Sequence, residues 1–212
     1  MTLPYFDLSG RIAIVSGGAS GIGLAISEAY AEAGATVVIC SRRLEICVDM
    51  AASLTARTGA EVVGMRCDVT ASDSIDKMLK ELVAKYGGID VLVNCAGVAG
   101  SEKPALKMEI DDWNSVIDIN LTGAFKLTKA VGAGMVKRGK GGRVVNVASI
   151  GGAIGLPNMS AYCASKGGLV QMTKVLALEW ARHDILVNAI LPGYFETPMN
   201  TDFFTSDAGK KV

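Results

Sequence analysis

The sequence predicts an α/β fold, a doubly wound parallel sheet with helices on both faces in a three-layer αβα arrangement. Three observations predict it. Short apolar runs rich in Val and Ile show no polar alternation, as expected of strands buried on both faces. Longer helix-like stretches separate these runs throughout the chain. A glycine cluster follows the first run and leads directly into the first helix-like stretch.

The predicted strands, in order, are Ile12–Val15, Thr36–Cys40, Val62–Cys67, Val91–Asn94, Arg143–Val147 and Leu186–Ile190. The predicted helices are Ile22–Ala33, Leu44–Thr58, Ser72–Tyr86, Asp111–Arg138 and Ser160–Arg182. Gly34 and Gly87 follow helix ends, where a left-handed cap suits glycine. Asp111 and Asp112 open a helix, where acids complement the positive end of the dipole. Strand–helix alternation implies right-handed crossovers and therefore parallel pairing. No linker, low-complexity segment or repeat interrupts it, so residues 1–212 read as one domain.

Composition narrows the function. Lys plus Arg is 21 and Asp plus Glu is 21, so there is no basic excess of the kind a dedicated nucleic-acid binder uses. Hydrophobic residues make up 50% and charged residues 20%, which excludes an intrinsically disordered chain. The opening MTLPYFDLSGR lacks the basic and apolar regions of a secretory signal. No apolar run approaches the length of about 18 residues that would span a bilayer. Cys40, Cys47, Cys67, Cys95 and Cys163 are scattered without a C-x-x-C pair, and His183 is the single histidine. Reduced thiols, no metal site and a cytoplasmic location are the resulting expectations.

The loop Ser16-Gly17-Gly18-Ala19-Ser20-Gly21-Ile22-Gly23 lies in the first βα turn. Its glycines let backbone turn tightly and approach a pyrophosphate, while the helix N-terminus offers unpaired N–H groups. The predicted ligand contacts are Gly17, Ala19, Ser20, Gly21, Ile22 and Gly23. An ordinary tight turn is the plainer reading. At the end of the second strand an acid would favour NAD, but the chain has Ser41, Arg42 and Arg43 there. Arg42 suits a 2′-phosphate, and Ser41 removes the repelling charge, so NADP(H) is preferred over NAD(H). Asp68, with Val69 beside it, closes the third strand and suits an adenine amino group or a helix cap.

Tyr162 and Lys166 are spaced to share one helix face. A nearby ammonium favours the phenolate, so Lys166 is expected to lower the Tyr162 pKa. A surface helix pair is the plainer alternative. Ser149 ends the fifth strand, at the carboxyl edge where ligands bind in such sheets. Asn120 is unfavourable inside a helix, which suggests a local break that aims its carbonyl at a water.

These residues make the chain resemble the short-chain dehydrogenase/reductase family. Ser16–Gly23 matches its Thr-Gly-x-x-x-Gly-x-Gly motif with Ser for Thr, and Asn94-Cys95-Ala96-Gly97 matches Asn-Asn-Ala-Gly with Cys for Asn. Asn120, Ser149, Tyr162 and Lys166 stand in the order of its catalytic tetrad, and Pro192-Gly193 matches a motif after the sixth strand. Within the family the chain looks most like the 3-oxoacyl-acyl-carrier-protein reductase and gluconate 5-dehydrogenase branch. The resemblance implies a Rossmann fold and an oxidoreductase acting on a carbonyl or secondary alcohol with NADP(H). It implies Tyr162 as general acid/base, Lys166 as the group that tunes Tyr162 and holds the nicotinamide ribose, and Ser149 as the polariser of the carbonyl. It implies that Asn120 supports a water linked to Lys166. Asn94, Ala96 and Gly97 are implied on the adenine-ribose side, and Pro192, Gly193, Phe195 and Thr197 near the nicotinamide. Asp184 and Leu186 depart from the family's usual Gly and Arg.

Alternatives remain: a non-catalytic dinucleotide sensor on the same fold, or an NAD-dependent alcohol dehydrogenase. The substrate side is expected to include Ser149, Gly151, Ile154, Tyr162 and Tyr194, within bordering stretches 150–160 and 194–204 that lack basic residues. That suggests an uncharged or modestly polar small molecule; a carrier-protein substrate would instead use Lys137, Arg138 and Lys140. Small and apolar residues on the two longest predicted helices, with the resemblance, imply a homo-oligomer, dimer or tetramer. Family members continue with a further helix and a seventh strand, so a chain ending at Val212 is expected to be C-terminally incomplete.

Overall fold

The computed structural model describes residues 6–197. The predicted pocket border is therefore described only as far as Thr197. The expectation about the C-terminus lies outside the described residues.

Six strands form one parallel sheet in the order β3-β2-β1-β4-β5-β6. They are β1 Ile12–Ser16, β2 Thr36–Ser41, β3 Val62–Arg66, β4 Val91–Asn94, β5 Gly142–Val147 and β6 Ile185–Ile190. The main helices are α1 Gly21–Glu32, α2 Leu44–Thr58, α3 Ser72–Tyr86, α4 Ile110–Ile117, α5 Ala124–Arg138 and α6 Ser160–Trp180.

Strand alternation divides the core between the two faces. Val38, Ile14, Leu92, Val144 and Val187 fall in register across five strands. They share one buried cluster with Ile75 and Met78 of α3, Leu127 and Val131 of α5, and Leu176 of α6. The residues that alternate with them, including Ala13, Val15, Ile39 and Val93, pack against Ala31 of α1 and Ala51 and Leu54 of α2. Both strand faces are thus apolar, which explains why the strands read as continuous hydrophobic runs.

The predicted helix Asp111–Arg138 is interrupted. A π-helical turn, Asp118–Gly123, separates α4 from α5 and contains Asn120. The expected local break is therefore present, as a widened turn of the kind found at functional sites. Gly34 and Gly87 have φ of +89° and +78°, as their predicted capping roles require. Asp184 follows the short 3₁₀ turn Ala181–His183 and has φ +56°. The left-handed backbone there explains why glycine suits this position, and aspartate is one of the residues that tolerate it.

The amino end of the sheet is clasped by Asp90. Its carboxylate accepts from Ile12 N–H at 2.9 Å and from Arg138 Nη2 at 2.9 Å, while Arg138 Nη2 also donates to Ile89 O at 2.8 Å. Both side chains are largely buried. Removing one partner of such a pair leaves the other charge uncompensated. Asp90→Ala is therefore expected to lose about 3 kcal/mol of stability. Chemical denaturation measures this, and a loss near zero would show that the clasp is dispensable.

Candidate active site

A cleft opens at the carboxyl ends of the strands, where the chain order reverses between β1 and β4. Ligands bind at this switch point in open α/β sheets. The cavity measures about 400 Å³ and runs from Arg42 and Arg43 to Tyr162 and Lys166.

The glycine loop forms one wall. Gly17 has φ +71°, and a Cβ there would lie 2.9 Å from Ala96 N. Backbone of the loop and of the β4 end therefore meet without an intervening side chain. A Cβ on Gly23 would collide with Gly17 O. Gly23 thus lets α1 fold back on the loop and does not line the cleft. Ser27 Oγ fixes the turn by donating to Gly23 O at 2.8 Å and Gly18 O at 3.2 Å. Gly17, Ala19, Ser20, Gly21 and Ile22 border the cleft as expected.

At the far end, Ser41 Oγ accepts from Arg43 N–H at 3.1 Å, curling the chain so that Ser41, Arg42 and Arg43 all face the cleft. Asp68 and Val69, just past the neighbouring strand β3, also border the cleft. Asp68 Oδ1 accepts from Thr70 N–H at 3.0 Å and Thr70 Oγ1 at 2.7 Å, so its turn-capping role is present. Those bonds, with Arg42 and Arg66 nearby, hold its carboxyl below the usual range.

The floor is a row of buried polar side chains. Ser16, Asn94 and Asn146 are in register on β1, β4 and β5. Ser16 Oγ donates to Val93 O at 3.3 Å and accepts from Cys95 N–H at 3.2 Å. Asn94 Nδ2 donates to Asn146 Oδ1 at 2.8 Å and Thr128 Oγ1 at 2.7 Å, and Asn146 Nδ2 reaches Thr173 Oγ1 at 2.9 Å. This corrects the expectation for Asn94. It is buried beneath the cleft and ties β4 to β5 and α5, while Ala96 and Gly97 border the cleft. Cys95, the departure from the motif, also borders it and accepts a hydrogen bond from Gly23 N–H.

Asn120, Ser149, Tyr162 and Lys166 converge at the other end. Asn120 Oδ1 accepts from Val98 N–H at 2.8 Å, and its Nδ2 donates to Val98 O at 2.9 Å and Ser165 Oγ at 3.1 Å. Its side chain is spent on holding the β4 loop and α6. Any bond to water falls to the backbone of the π turn. Gly97 lies between Asn120 and Lys166: a Cβ there would sit 3.1 Å from Asn120 Oδ1 and 3.5 Å from Lys166 Nζ. Ser149 is buried, accepts from Gly151 N–H at 3.1 Å and hydrogen-bonds the Tyr162 hydroxyl.

Lys166 is buried, with its Nζ donating to Val147 O at 2.8 Å and lying 5.7 Å from the centre of the Tyr162 ring. Desolvation pulls its pKa down to about 8. Burial pushes the Tyr162 hydroxyl up, and the Ser149 hydrogen bond only partly offsets this. Burial is the largest influence on the Tyr162 hydroxyl and acts against the depression expected from Lys166.

On the substrate side Gly151 is buried beneath Leu156 and Cys163, while Ile154 and Tyr194 are exposed beyond the cleft. Thr197 borders the cleft; Pro192, Gly193 and Phe195 do not. Pro192 instead supplies O to Ile150 N–H at 2.9 Å, latching the segment after β6 to the turn after Ser149. Cys40, Cys67, Val98, Ile119, Val147 and Ala148 also border the cleft without having been expected. The strand-end rule points to Cys40, Cys67, Val147 and Ala148; nothing local in the sequence marks Val98 or Ile119.

Comparison with known proteins agrees with this architecture. Residues 11–208 match the short chain dehydrogenase family. The 2-dehydro-3-deoxy-D-gluconate 5-dehydrogenase of Formosa agariphila is 37% identical over 93% of this chain and 74% of its own. The 3-oxoacyl-acyl-carrier-protein reductase of Thermotoga maritima is 40% identical over 91% of this chain and 77% of its own. A gluconate 5-dehydrogenase from Burkholderia cenocepacia, solved with NADP and tartrate, superposes with TM-score 0.91 at 34% identity, covering 96% of this chain and 79% of that one. Among the described residues no helix is long and apolar enough to cross a membrane. A six-stranded Rossmann sheet, a glycine-lined cleft at its switch point and matches along the chain make this protein an NAD(P)-dependent oxidoreductase of the short-chain dehydrogenase/reductase family.

Proposed function

We propose that this enzyme moves hydride between NADP(H) and a carbonyl or secondary alcohol, with Tyr162 as general acid/base. The observation that carries the proposal is one continuous cleft with Arg42 and Arg43 at one end and Tyr162 and Lys166 at the other. The glycine wall fits a dinucleotide because Gly17, at φ +71° and packed on the Ala96 backbone, turns the loop tightly into the N-terminus of α1 beside the cleft. All these groups hang from one sheet, which supports the described residues 6–197 as one domain holding both cofactor and substrate.

When bound, the nicotinamide supplies the hydride chemistry. Tyr162 holds a proton at its hydroxyl at neutral pH, since burial raises its pKa, and that state suits donation to a carbonyl oxygen. Ser149, hydrogen-bonded to Tyr162, orients the same oxygen. Lys166 holds the ribose side and the Tyr162 face. Asn120 fixes the loop that carries Gly97 against Lys166. Arg42 pairs with a 2′-phosphate, which favours NADP(H) over NAD(H). The substrate end is uncharged or modestly polar. The basic trio Lys137, Arg138 and Lys140 lies at the opposite end of the sheet, with Arg138 bound to Asp90, so a free small molecule is favoured over a carrier docking on that trio. We further propose a homo-oligomer, dimer or tetramer. Phe125 and Val136 on α5 and Val175 and Leu178 on α6 are exposed apolar residues, Leu178 at 82%.

Tyr162→Phe is expected to reduce turnover of a carbonyl panel with NADPH by about 10³-fold while keeping NADPH binding; unchanged turnover would refute the assigned role. Arg42→Ala is expected to weaken NADPH about tenfold and NADH little; equal losses for both would overturn the NADP(H) preference. Lys166 binds its proton up to about 10.5 when unfolded but only to about 8 when folded. The unfolded state therefore binds more protons between those values. The cost of the buried charge is full below the lower value and is relieved as pH rises through the window. Urea unfolding near pH 7 and near pH 10 should show wild type gaining up to about 3 kcal/mol relative to Lys166→Met. A pH-independent difference would contradict this. Leu178→Glu is expected to shift sedimentation toward smaller species; an unchanged profile would remove α6 from the interface.

A further inference from the structure

Two glycines follow Ser149 and lie against the helix that carries Tyr162 and Lys166. The 3₁₀ turn Ile150–Gly152 starts at Ser149, whose Oγ accepts from Gly151 N–H at 3.1 Å and whose O accepts from Gly152 N–H at 2.8 Å. A Cβ on Gly151 would sit 3.5 Å from Ser149 Oγ and 3.4 Å from Cys163 Sγ, so the turn meets α6 beside Tyr162. A Cβ on Gly152 would sit 2.8 Å from Lys166 O, 2.9 Å from Lys166 C and 3.2 Å from Gly167 N. The turn therefore packs on α6 at two points, Cys163 and the Lys166–Gly167 main chain. Gly152 is not among the glycines with positive φ, so space and not backbone conformation requires glycine there. The contact is one-sided: a Cβ on Gly167 would lie 3.6 Å from Gly152 O, an ordinary distance.

Two further bonds fix the same segment. Two residues before Ser149, Val147 O accepts from Lys166 Nζ at 2.8 Å. On the turn itself, Ile150 N–H donates to Pro192 O at 2.9 Å. Lys166 thus holds the segment at two points, its ammonium on Val147 and its main chain on Gly152, with Ser149 between them. We propose that the Ile150–Gly152 turn, held between Pro192 and α6, is the spacer that sets Ser149 against Tyr162, and that Gly152 is a positioning residue for the reaction. The proposal rests on the reading above of Tyr162 as proton donor and Ser149 as the group that orients the substrate oxygen.

A methyl on Gly152 meets main chain of α6, which cannot rotate aside as a side chain can. The turn must then retreat by roughly half an ångström to regain ordinary contact. The bond from Ile150 to Pro192 resists that retreat. The displacement is therefore taken up at Ser149, which both glycine N–H groups of the turn hold. A misplacement of about 1 Å in a reacting geometry costs about 100-fold in rate, so a shift of half that size should cost about tenfold.

The test labels the full chain with ¹³C at tyrosine Cζ and assigns the Tyr162 resonance as the one lost in Tyr162→Phe. In Gly152→Ala this resonance should move toward its position in Ser149→Ala. Turnover of a carbonyl panel should fall about tenfold in kcat, with NADPH affinity kept. Added to Ser149→Ala, Gly152→Ala should cost less than about twofold more, because its effect runs through Ser149. Gly167→Ala, which the space accepts, should leave both resonance and kcat unchanged. An unmoved Tyr162 resonance, or a kcat loss that multiplies fully with that of Ser149→Ala, would overturn the spacer. So would a loss of NADPH affinity equal to the loss of kcat, which marks general disruption of the cleft. Ile150→Pro serves where Gly152→Ala does not fold. It deletes the N–H bonded to Pro192 O, yet suits the first residue of the turn and the extended backbone of Ser149. It should also move the Tyr162 resonance, and an unmoved resonance there would overturn the proposal. Unchanged turnover in Tyr162→Phe would sink the proton-donor reading, while the resonance would still decide the spacer.

Discussion

The carboxyl end of the sheet buries a row of polar side chains and pairs them with one another, Asn94 Oδ1 excepted, and the rest of the site depends on those bonds. An unsatisfied buried donor or acceptor costs about 1–3 kcal/mol. Here Asn94 and Asn146 bond each other across β4 and β5 and take Thr128 from α5 and Thr173 from α6 as further partners. The bridge joins two strands and two helices directly beneath the cleft. Ser16 does the same for β1 through the backbone of Val93, Cys95 and Ala96. The loop after β4 and the start of α6 therefore inherit their positions from a hydrogen-bonded floor. Gly97 against Lys166 and Asn120 against Val98 are consequences of that floor.

The electrostatics follow from the same burial. Lys166 gives up hydration and receives one carbonyl, Val147 O, in return. One neutral acceptor does not compensate an ammonium, so its proton is held loosely. Tyr162 next to it keeps its proton for the mirror-image reason, since burial disfavours the phenolate. The two groups are thus drawn toward their neutral forms together. The four-residue spacing of Tyr162 and Lys166 carries no information about solvent, so this shared burial was not legible in it.

Much of the molecule was legible in the sequence because its signals are local. Strands buried on both faces read as apolar runs, and Gly34, Gly87 and the βα glycine loop mark backbone turns that favour glycine. The site was legible where a residue sits at a strand end or one helical turn from another, as Ser41, Ser149, Tyr162 and Lys166 do. It was not legible where roles depend on contacts between segments far apart in the chain. Asn94 looked like a cleft residue because its motif borders the cleft, yet its side chain is buried against Asn146 and Thr128, and Gly23 packs against Gly17 behind the loop. Val98 reaches the cleft only because Asn120, 22 positions away, clamps its backbone.

The strand order also bears on how the molecule assembles. Each successive pair of strands lies side by side except β3 and β4, between which the chain crosses back over β2 and β1. That crossing brings together positions such as Ser16 and Val93, 77 apart in sequence, whereas the other pairings close shorter loops. The sheet therefore consists of two locally wound halves meeting at one distant seam. The cleft lies on that seam, so its geometry exists only once the halves have docked, and folding speed and acquisition of a working site are set by the same long-range contact.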